Sequence, residues 1–202
     1  MTAALVSLIG PPASGKTTVA GWLAAALGAR LILEDYAGNP FLAESYAGRT
    51  ELRLSGQAWF LLSRVNQLAR ARWPERGAAV SDYAYLQDQV YARILLPGEE
   101  LQTYAALAAR VAPLVHPPEL LIWLDGPVEL LKDRIAKRGR DYERHFTDAF
   151  LRRQIQEYGR LLERPACAAI RVDIAARDLR QAEHQQWLLA QVRAELGRAQ
   201  SI

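Results

Sequence analysis

The sequence predicts an α/β fold in which helices flank a parallel sheet of five strands. Short apolar segments alternate with segments of helical periodicity along the chain, as in parallel sheets whose strands are joined by helices. The 202 residues are 50% hydrophobic and 23% charged, which suits one packed core. The chain contains no internal repeat and no linker-like tract. We therefore expect residues 1–202 to form a single domain.

The first part of the chain contains three predicted strands. They cover residues 4–9, 30–33 and 77–81, each a short apolar segment. A predicted helix over 16–27 separates the first two strands and ends before Gly28, since helix C-termini favour glycine there. Apolar residues then recur at helical spacing from 51 to 72, which predicts one long helix.

The second part continues the alternation of helices and strands. Helices are predicted over 86–95 and 99–114, separated by Pro97 and Gly98. The continuous apolar run 120–124 is typical of a strand that is buried on both faces. The remaining predicted elements are helices over 128–138 and 146–162, a fifth strand over 168–172 and a closing helix over 181–196.

Charge and cysteine content exclude several classes of protein. Lys and Arg (25) exceed Asp and Glu (22) by only three charges, too few for a duplex-DNA binder, so we expect no nucleic-acid partner. The one cysteine, Cys167, excludes an internal disulfide. No apolar stretch approaches the roughly 18–20 residues of a membrane span, and the N-terminus lacks the basic segment of a signal peptide. We expect a cytoplasmic protein with no membrane partner.

Residues 10–17 match the phosphate-binding pattern G-x-x-x-x-G-K-[ST], known as the P-loop. The pattern lies between the first predicted strand and the first predicted helix, where glycines let the backbone approach phosphates and the helix N-terminus presents N–H groups. Lys16 would neutralise the β- and γ-phosphates, and the Thr17 hydroxyl would ligate Mg²⁺. This segment predicts a nucleoside triphosphate site comprising Gly10, Pro11, Pro12, Ala13, Ser14, Gly15, Lys16, Thr17 and Thr18.

Three further patterns narrow the class of P-loop protein. They are E-x(4)-N-P-F-L from Glu34, Q-x(6)-R from Gln57 to Arg64, and R-x(3)-R-G-R-x-x-E from Arg134 to Glu143. The N-K-x-D pattern of GTPases is absent. In order and spacing, the patterns resemble the deoxynucleoside kinase family, particularly the bacterial deoxyadenosine/deoxyguanosine kinases, from the P-loop to about residue 179.

The resemblance implies a P-loop NTPase fold with a short Arg-rich lid over about 134–146, and a homodimer. It implies transfer of a phosphoryl group from ATP, with Mg²⁺, to the 5′-hydroxyl of a deoxynucleoside. Glu34, at the end of the second predicted strand, is then the general base that takes the proton of that hydroxyl. A surface acid is the alternative for Glu34, and the neighbouring Asp35 leaves open which of the two carboxylates points inward.

Residues expected to contact the nucleoside come from the same resemblance. Gln57, Arg64 and Asp88 would read the base. The Gln57 amide both donates and accepts, Arg64 lies two helical turns further on the same face, and Asp88 can pair with Arg64. An Arg–Asp pair favours deoxyadenosine, deoxyguanosine or deoxycytidine over thymidine. Tyr46 and Glu143 match positions that hold the sugar 3′-hydroxyl, although Tyr46 is also compatible with a core aromatic.

The resemblance also assigns residues around the phosphates. Asp82, after the third predicted strand, matches an acid that holds Mg²⁺ together with Thr17. Arginine often follows this acid in relatives, whereas this chain has Tyr83, which cannot supply the charge; either a lid arginine compensates or turnover is slow. The lid arginines Arg134, Arg138 and Arg140 would stabilise the γ-phosphate in transit, the alternative being a solvated basic helix end. Asp178 would lie near the donor adenine.

Two other functions stay open from the sequence. A nucleoside-monophosphate kinase would need a second cluster of phosphate-binding arginines on the acceptor side. A poorly catalytic nucleotide-sensing module is supported by Tyr83. We expect core positions, rather than base stacking, for Trp59, Phe60 and Tyr91, and surface or structural positions for His116, His145 and His184.

Overall fold

A computed structural model describes residues 3–199, and in it five parallel strands form one sheet in the order β2-β3-β1-β4-β5. The strands are β1 (Ala4–Ile9), β2 (Arg30–Ile32), β3 (Ala78–Ser81), β4 (Leu120–Asp125) and β5 (Ala168–Asp173). The predicted α/β fold and its five-stranded parallel sheet are confirmed. Because all strands run the same way, the segments that follow β1, β2 and β3 meet at one edge of the sheet.

Helices alternate with the strands. They are α1 (Lys16–Leu27), α2 (Leu42–Tyr46), α3 (Arg53–Gln67), α4 (Gln87–Leu95), α5 (Gly98–Val111), α6 (Val128–Arg138), α7 (Asp148–Leu162) and α8 (Ala182–Ala199). Short 3₁₀ helices occupy Thr50–Leu52, Arg70–Arg72, Ala112–Leu114 and Asp141–His145. Among residues 3–199, no helix combines the length and the apolar character needed to cross a bilayer.

Both faces of the sheet are covered, because successive residues of a strand point to opposite faces. On β1, Val6 and Leu8 pack into one cluster with side chains of α1 and α8. Leu5 packs with side chains from the end of α3, and Ile9 with side chains of α4 and α7, on the other face. Burial on both faces explains why the three central strands, β1, β3 and β4, appear in the sequence as apolar runs.

The prediction of one continuous helix over 51–72 is wrong, because the structure divides this segment into a 3₁₀ turn over Thr50–Leu52, the helix α3 and a second 3₁₀ turn. The helix α3 ends at Gln67, and a separate 3₁₀ turn covers Arg70–Arg72. Leu68 leaves the helical path and is 1% exposed, because it packs against the sheet while its carbonyl accepts a hydrogen bond from the His116 backbone at 2.8 Å. Tertiary burial of one leucine therefore outweighs the helical periodicity.

The helix predicted to begin at 146 begins at Asp148 instead. The Thr147 hydroxyl accepts a hydrogen bond from the Phe150 backbone at 3.2 Å and so caps α7. Phe146 has an extended backbone. The short helix α2 and the turn Asp141–His145 lie in segments for which we predicted no helix.

Candidate active site

Two cavities open at the carboxyl edge of the sheet and meet at the loop between β1 and α1. We name cavity I the one bounded by α2, α3 and α4, and cavity II the one bounded by α1, α6 and the segment after β5. The residues that line both cavities are Ala13, Lys16, Thr17 and Arg138. A molecule in one cavity can therefore meet a molecule in the other beside Lys16.

The predicted site residues are divided between the two cavities. Those lining cavity I are Pro12, Ala13, Lys16, Thr17, Glu34, Tyr46, Gln57, Arg64, Asp82, Asp88, Arg138, Arg140 and Glu143. Those lining cavity II are Ala13, Ser14, Gly15, Lys16, Thr17, Thr18, Arg134, Arg138 and Asp178. Gly10 and Pro11 are absent from both linings.

The loop between β1 and α1 has the backbone that an anion site needs. Gly10 has φ of +147°, and a Cβ there would lie 2.4 Å from the Leu124 carbonyl oxygen, so only glycine fits. Ala13 and Gly15 also have positive φ, 60° and 103°, and Gly15 is the residue before the first turn of α1. A loop of this kind turns backbone N–H groups into a concave surface that binds phosphate.

Lys16 is half-buried against this loop. Its Nζ donates to the carbonyl oxygens of Gly10 at 2.8 Å and Pro11 at 2.9 Å. Burial lowers the pKa of Lys16 to about 8, and the carboxylates of Glu34 and Asp82 oppose that shift. Gly10 and Pro11 thus act on this site by orienting the lysine rather than by lining a cavity.

Asp82, directly after β3, links the phosphate loop to the segment after β2. Its Oδ2 accepts from the Thr17 hydroxyl at 2.6 Å, and its Oδ1 accepts from the Glu34 backbone at 2.8 Å. Burial raises the pKa of Asp82. In the described part of the chain no three His, Cys, Asp or Glu side chains cluster as a metal site. A hydroxyl beside one carboxylate suits Mg²⁺, which takes its other ligands from phosphate and water.

Of the two adjacent acids, Glu34 points into cavity I and Asp35 points away from it. The Asp35 side chain is exposed, and its Oδ1 accepts from the Gly38 backbone at 2.9 Å. Glu34 lines the cavity and accepts a hydrogen bond from Arg64. The side chain of Glu34 is 22% exposed. The structure thus resolves the alternative that the sequence left open.

Arg64 on α3 lies between two carboxylates. Its Nη2 donates to Glu34 Oε1, and its Nη1 pairs with Asp88 Oδ1 on α4. The side chain is only 3% exposed, and its guanidinium lies 5.2 Å from the ring centres of both Phe60 and Tyr83. The pairing of Arg64 with Asp88 that the sequence suggested is present.

Two buried polar atoms beside this pair have no protein partner. Within residues 3–199, Gln57 Oε1 and Asp88 Oδ2 have no hydrogen-bond donor, although Gln57 is 5% and Asp88 2% exposed. Leaving such atoms unpaired costs about 1–3 kcal/mol each. Both residues line cavity I, so the cavity is suited to a ligand that donates hydrogen bonds to an amide oxygen and a carboxylate.

Aromatic side chains enclose the rest of cavity I. Tyr46 packs against the edge of Phe146 with ring centres 5.0 Å apart, and burial raises its pKa well above the usual value. Phe60 and Tyr91, which we expected in the core only, line the cavity as well. Trp59 is absent from the lining and packs edge-on against Phe60 at 5.6 Å.

The three arginines of the basic segment contact different parts of the site. Arg134 donates to the Ser14 carbonyl oxygen at 3.2 Å beside cavity II. Arg138 donates from Nε to Glu143 Oε2 at 3.0 Å, where Glu143 is 3% exposed. Arg140 lines cavity I together with Glu143. These contacts show a cationic segment that reaches both cavities.

Tyr83 points away from the phosphate loop. It is fully buried among Leu5, Ile32 and Leu68, and its hydroxyl donates to Gln67 Oε1. Tyr83 therefore brings no charge to either cavity, and the cations that line both cavities are Lys16 and Arg138.

Sequence reasoning missed several residues that line the cavities. Tyr36 and Tyr142 line cavity I, and Lys137, Arg177 and Arg180 line cavity II. The sequence could have indicated Arg177 and Arg180 by their position after β5, because that segment lies at the same edge of the sheet as the P-loop. Among the residues of cavity II, the cations are Lys16, Arg134, Lys137, Arg138, Arg177 and Arg180. A cavity lined by these cationic side chains suits a polyphosphate.

The remaining predicted residues have structural contacts. Asp178 accepts from Arg180 Nη2 at 2.7 Å, and these hydrogen bonds lower the pKa of Asp178 to about 2. His116 is buried and stacks on Trp73 at 4.3 Å, a ring nitrogen of His184 lies 3.1 Å from the Asp178 carbonyl oxygen, and His145 is exposed. The three histidines are absent from the linings of both cavities.

Comparison with known proteins identifies relatives over most of the chain. A family model described as deoxynucleoside kinase matches residues 6–196. The chain is 28% identical over 160 residues to a deoxyguanosine kinase of Bacillus subtilis (strain 168), which covers 78% of this chain and 77% of that protein. It is 29% identical over 165 residues to a deoxyadenosine kinase of Dictyostelium discoideum, which covers 79% of this chain and 66% of that protein.

Solved structures give the same fold. A deoxyadenosine kinase from M. mycoides with the products dCMP and dCDP bound superimposes with a TM-score of 0.82 at 18% identity, covering 94% of this chain and 99% of that one. The same enzyme with dATP bound superimposes with a TM-score of 0.81 at 17% identity, with the same coverage.

Proposed function

The chain belongs to the deoxynucleoside kinase family, and from this premise we propose that it transfers the γ-phosphoryl group of ATP to the 5′-hydroxyl of deoxyadenosine, deoxyguanosine or deoxycytidine rather than thymidine. One observation supports this choice of phosphoryl acceptor. The buried atoms Gln57 Oε1 and Asp88 Oδ2 have no hydrogen-bond partner in the described chain, and both residues line cavity I. Both atoms accept hydrogen bonds, and adenine, guanine and cytosine each carry an exocyclic amino group that can donate to them, whereas thymine carries none.

ATP would occupy cavity II with its phosphates on the P-loop. The six cations of that cavity and the N–H groups at the start of α1 suit the triphosphate. Asp178 at the rim is the residue we assign to the adenine side. Thr17 and Asp82 would hold Mg²⁺, which neutralises charge between the β- and γ-phosphates when bound.

The deoxynucleoside would occupy cavity I. Gln57, Arg64 and Asp88 lie at its base-reading end, whereas Tyr46 and Glu143 are assigned to the sugar 3′-hydroxyl. In this placement the 5′-hydroxyl is directed towards Glu34 and Lys16, where the two cavities meet.

Glu34 is the proposed general base. Its carboxylate takes the proton of the 5′-hydroxyl as the 5′-oxygen bonds to the γ-phosphorus, and the bond from that phosphorus to the bridging oxygen breaks to leave ADP. Lys16 and Arg138 stabilise the charge on the transferred group, while residues 134–146 act as a lid within a single domain. Most of the rate enhancement would come from positioning, because the transition state of phosphoryl transfer is loose.

An ADP-release assay over the four deoxynucleosides, their ribose counterparts and the nucleoside monophosphates tests the proposed function. We expect turnover with at least one of deoxyadenosine, deoxyguanosine and deoxycytidine, and a lower kcat/KM with thymidine. Turnover with monophosphates alone would make the chain a monophosphate kinase. Tight binding of a deoxynucleoside without product would make it a sensing module. The homodimer stays a prediction that sedimentation equilibrium tests.

The role of Glu34 is tested by Glu34→Gln with Asp35→Asn as its matched control. We expect Glu34→Gln to lower kcat by about 100-fold or more, the typical contribution of a general base. Asp35→Asn alters the neighbouring acid, which points away from cavity I, so its kcat stays within about threefold of the unmodified chain. Equal kcat values for the two variants would contradict the assignment.

A further inference from the structure

We propose that Arg64 is a positioning residue for Glu34, so that the side chain that reads the base also sets the orientation of the carboxylate that receives the proton. The inference rests on the proposed function and adds a second role for a residue that was assigned to base recognition alone.

The first step of the argument is that Arg64 joins three elements. It lies on α3, Glu34 follows β2, and Asp88 lies on α4. Separate nitrogens of the one guanidinium contact the two carboxylates, Nη2 at Glu34 and Nη1 at Asp88. A guanidinium is planar and rigid, so the placement of one contact fixes the direction of the other.

The second step is that the surroundings hold the guanidinium in place. Arg64 is 3% exposed, and the rings of Phe60 and Tyr83 each lie 5.2 Å from its guanidinium carbon. Tyr83 is itself fully buried and is held by the hydrogen bond from its hydroxyl to Gln67. Arg64 therefore lacks the rotational freedom of a surface arginine, and a contact made by a fixed group imposes an orientation on its partner.

The third step is the effect on Glu34. Arg64 engages Oε1, which leaves Oε2 as the oxygen that we assign to the 5′-hydroxyl. The backbone N–H of Glu34 is also held, by Asp82, so the residue is fixed at both its main chain and its side chain. In a loose transition state little proton transfer has occurred, so the direction of the carboxylate matters more than its basicity.

Three variants separate positioning of Glu34 from reading of the base. Arg64→Met removes the charge and keeps the length of the side chain, and Arg64→Lys restores the charge. Gln57→Leu removes a base-reading group that, within residues 3–199, makes no hydrogen bond with Glu34. Steady-state kcat and KM are measured for each variant with the preferred deoxynucleoside at saturating ATP and Mg²⁺.

We expect Arg64→Met to lower kcat by about 100-fold, since misplacement of a reacting group by about 1 Å has an effect of that size. We expect the kcat of Arg64→Lys to be about tenfold higher than that of Arg64→Met. The lysine ammonium can still contact Glu34, although it cannot contact Glu34 and Asp88 with two nitrogens held in one plane as a guanidinium does. We expect Gln57→Leu to lower kcat/KM by raising KM. An Arg64→Met variant that also acts only through KM, like Gln57→Leu, would overturn the inference.

Loss of Arg64 leaves two carboxylates without their cation, which can prevent folding. If Arg64→Met does not fold, as judged by circular dichroism, the double variant Arg64→Met/Asp88→Asn takes its place, because it removes one of those charges and still lacks the contact with Glu34. The same 100-fold loss of kcat supports the inference, and a kcat equal to that of Asp88→Asn alone overturns it. An unmodified chain that phosphorylates no deoxynucleoside would instead overturn the proposed function itself.

Discussion

Arg140 donates a hydrogen bond from Nη2 to the Tyr36 hydroxyl at 2.7 Å, and its guanidinium carbon lies 4.0 Å from the centre of the Tyr36 ring. The two residues are 104 positions apart in the sequence and both line cavity I. Their contact joins the segment after α6 to the segment after β2. It therefore closes the proposed lid over the cavity in which we place the deoxynucleoside.

Tyr36→Phe and Tyr36→Ala test whether this contact matters for turnover. Hydrogen bonds to charged groups contribute about 1.5–3 kcal/mol, and Tyr36 is 37% exposed, so we expect Tyr36→Phe to cost about 1 kcal/mol, or about fivefold in kcat/KM for the deoxynucleoside. Tyr36→Ala also removes the ring and the cation–π contact, for a total of about tenfold to twentyfold.

Arg144→Ala is the control for the lid contact, because Arg144 lies in the same segment, is exposed and pairs with Asp141 at 3.0 Å. Its kcat/KM should stay within about twofold of the unmodified chain. A Tyr36→Ala variant that behaves like Arg144→Ala would show that the lid closes without this contact.

Gly10→Ala tests the backbone of the phosphate loop. The added Cβ would lie 2.4 Å from the Leu124 carbonyl oxygen at a φ of +147°, so β1, β4 or the loop must move. We expect a loss of about 2 kcal/mol or more in the free energy of unfolding and at least tenfold weaker ATP binding. Urea denaturation and isothermal titration calorimetry measure the two effects.

Gly21→Ala is the matched substitution within α1, where a Cβ would meet nothing within 4 Å. It should raise the free energy of unfolding by about 0.5–1 kcal/mol, because alanine favours helix, and leave ATP binding unchanged. A Gly10→Ala variant as stable as Gly21→Ala would contradict the close approach that the structure shows.

The sequence predicted the fold well because the strands have little freedom in composition. A strand buried on both faces, such as the run 120–124, must be apolar throughout, and the pattern is visible without an alignment. Periodicity could not show that Leu68 leaves the helix, since its burial depends on contacts with the sheet and with the segment near His116. Local pattern identifies elements, and tertiary contacts decide where they end.

The site was predicted less completely than the fold. Glu34 follows a strand and Lys16 begins a helix, each within a recognisable sequence pattern. The topology of the parallel sheet brings both residues to its carboxyl edge. Tyr36 and Arg177 belong to no such pattern, and they reach the cavities only through the path of their loops. The direction of Tyr83 was also out of reach, because only the packing beneath β3 shows that its ring enters the core.

Asp88→Asn tests the proposed discrimination against thymidine. A carboxylate only accepts hydrogen bonds, so it suits the amino group that adenine, guanine and cytosine each carry and repels the carbonyl oxygens of thymine, which has no amino group. An asparagine amide can donate to such an oxygen. We expect the ratio of kcat/KM for the preferred deoxynucleoside to that for thymidine to fall by about tenfold. Asp133→Asn is the control, since this exposed residue is absent from the lining of cavity I and pairs with Lys137 beside cavity II. An unchanged ratio in Asp88→Asn would remove Asp88 from base recognition.

Asp82→Asn tests the proposed Mg²⁺ ligands. The carboxylate accepts from the Thr17 hydroxyl at 2.6 Å, and an amide keeps the shape of the side chain while losing the charge that a hard cation requires. We expect the concentration of free Mg²⁺ that gives half-maximal activity at fixed ATP to rise by about tenfold or more. Thr17→Ser keeps the hydroxyl and should leave that concentration within about threefold, whereas Thr17→Val should raise it as Asp82→Asn does. If Asp82→Asn retained the original Mg²⁺ dependence while Thr17→Val lost it, the ion would be held by the hydroxyl and the phosphates without Asp82, whose role would then be to hold the Glu34 backbone.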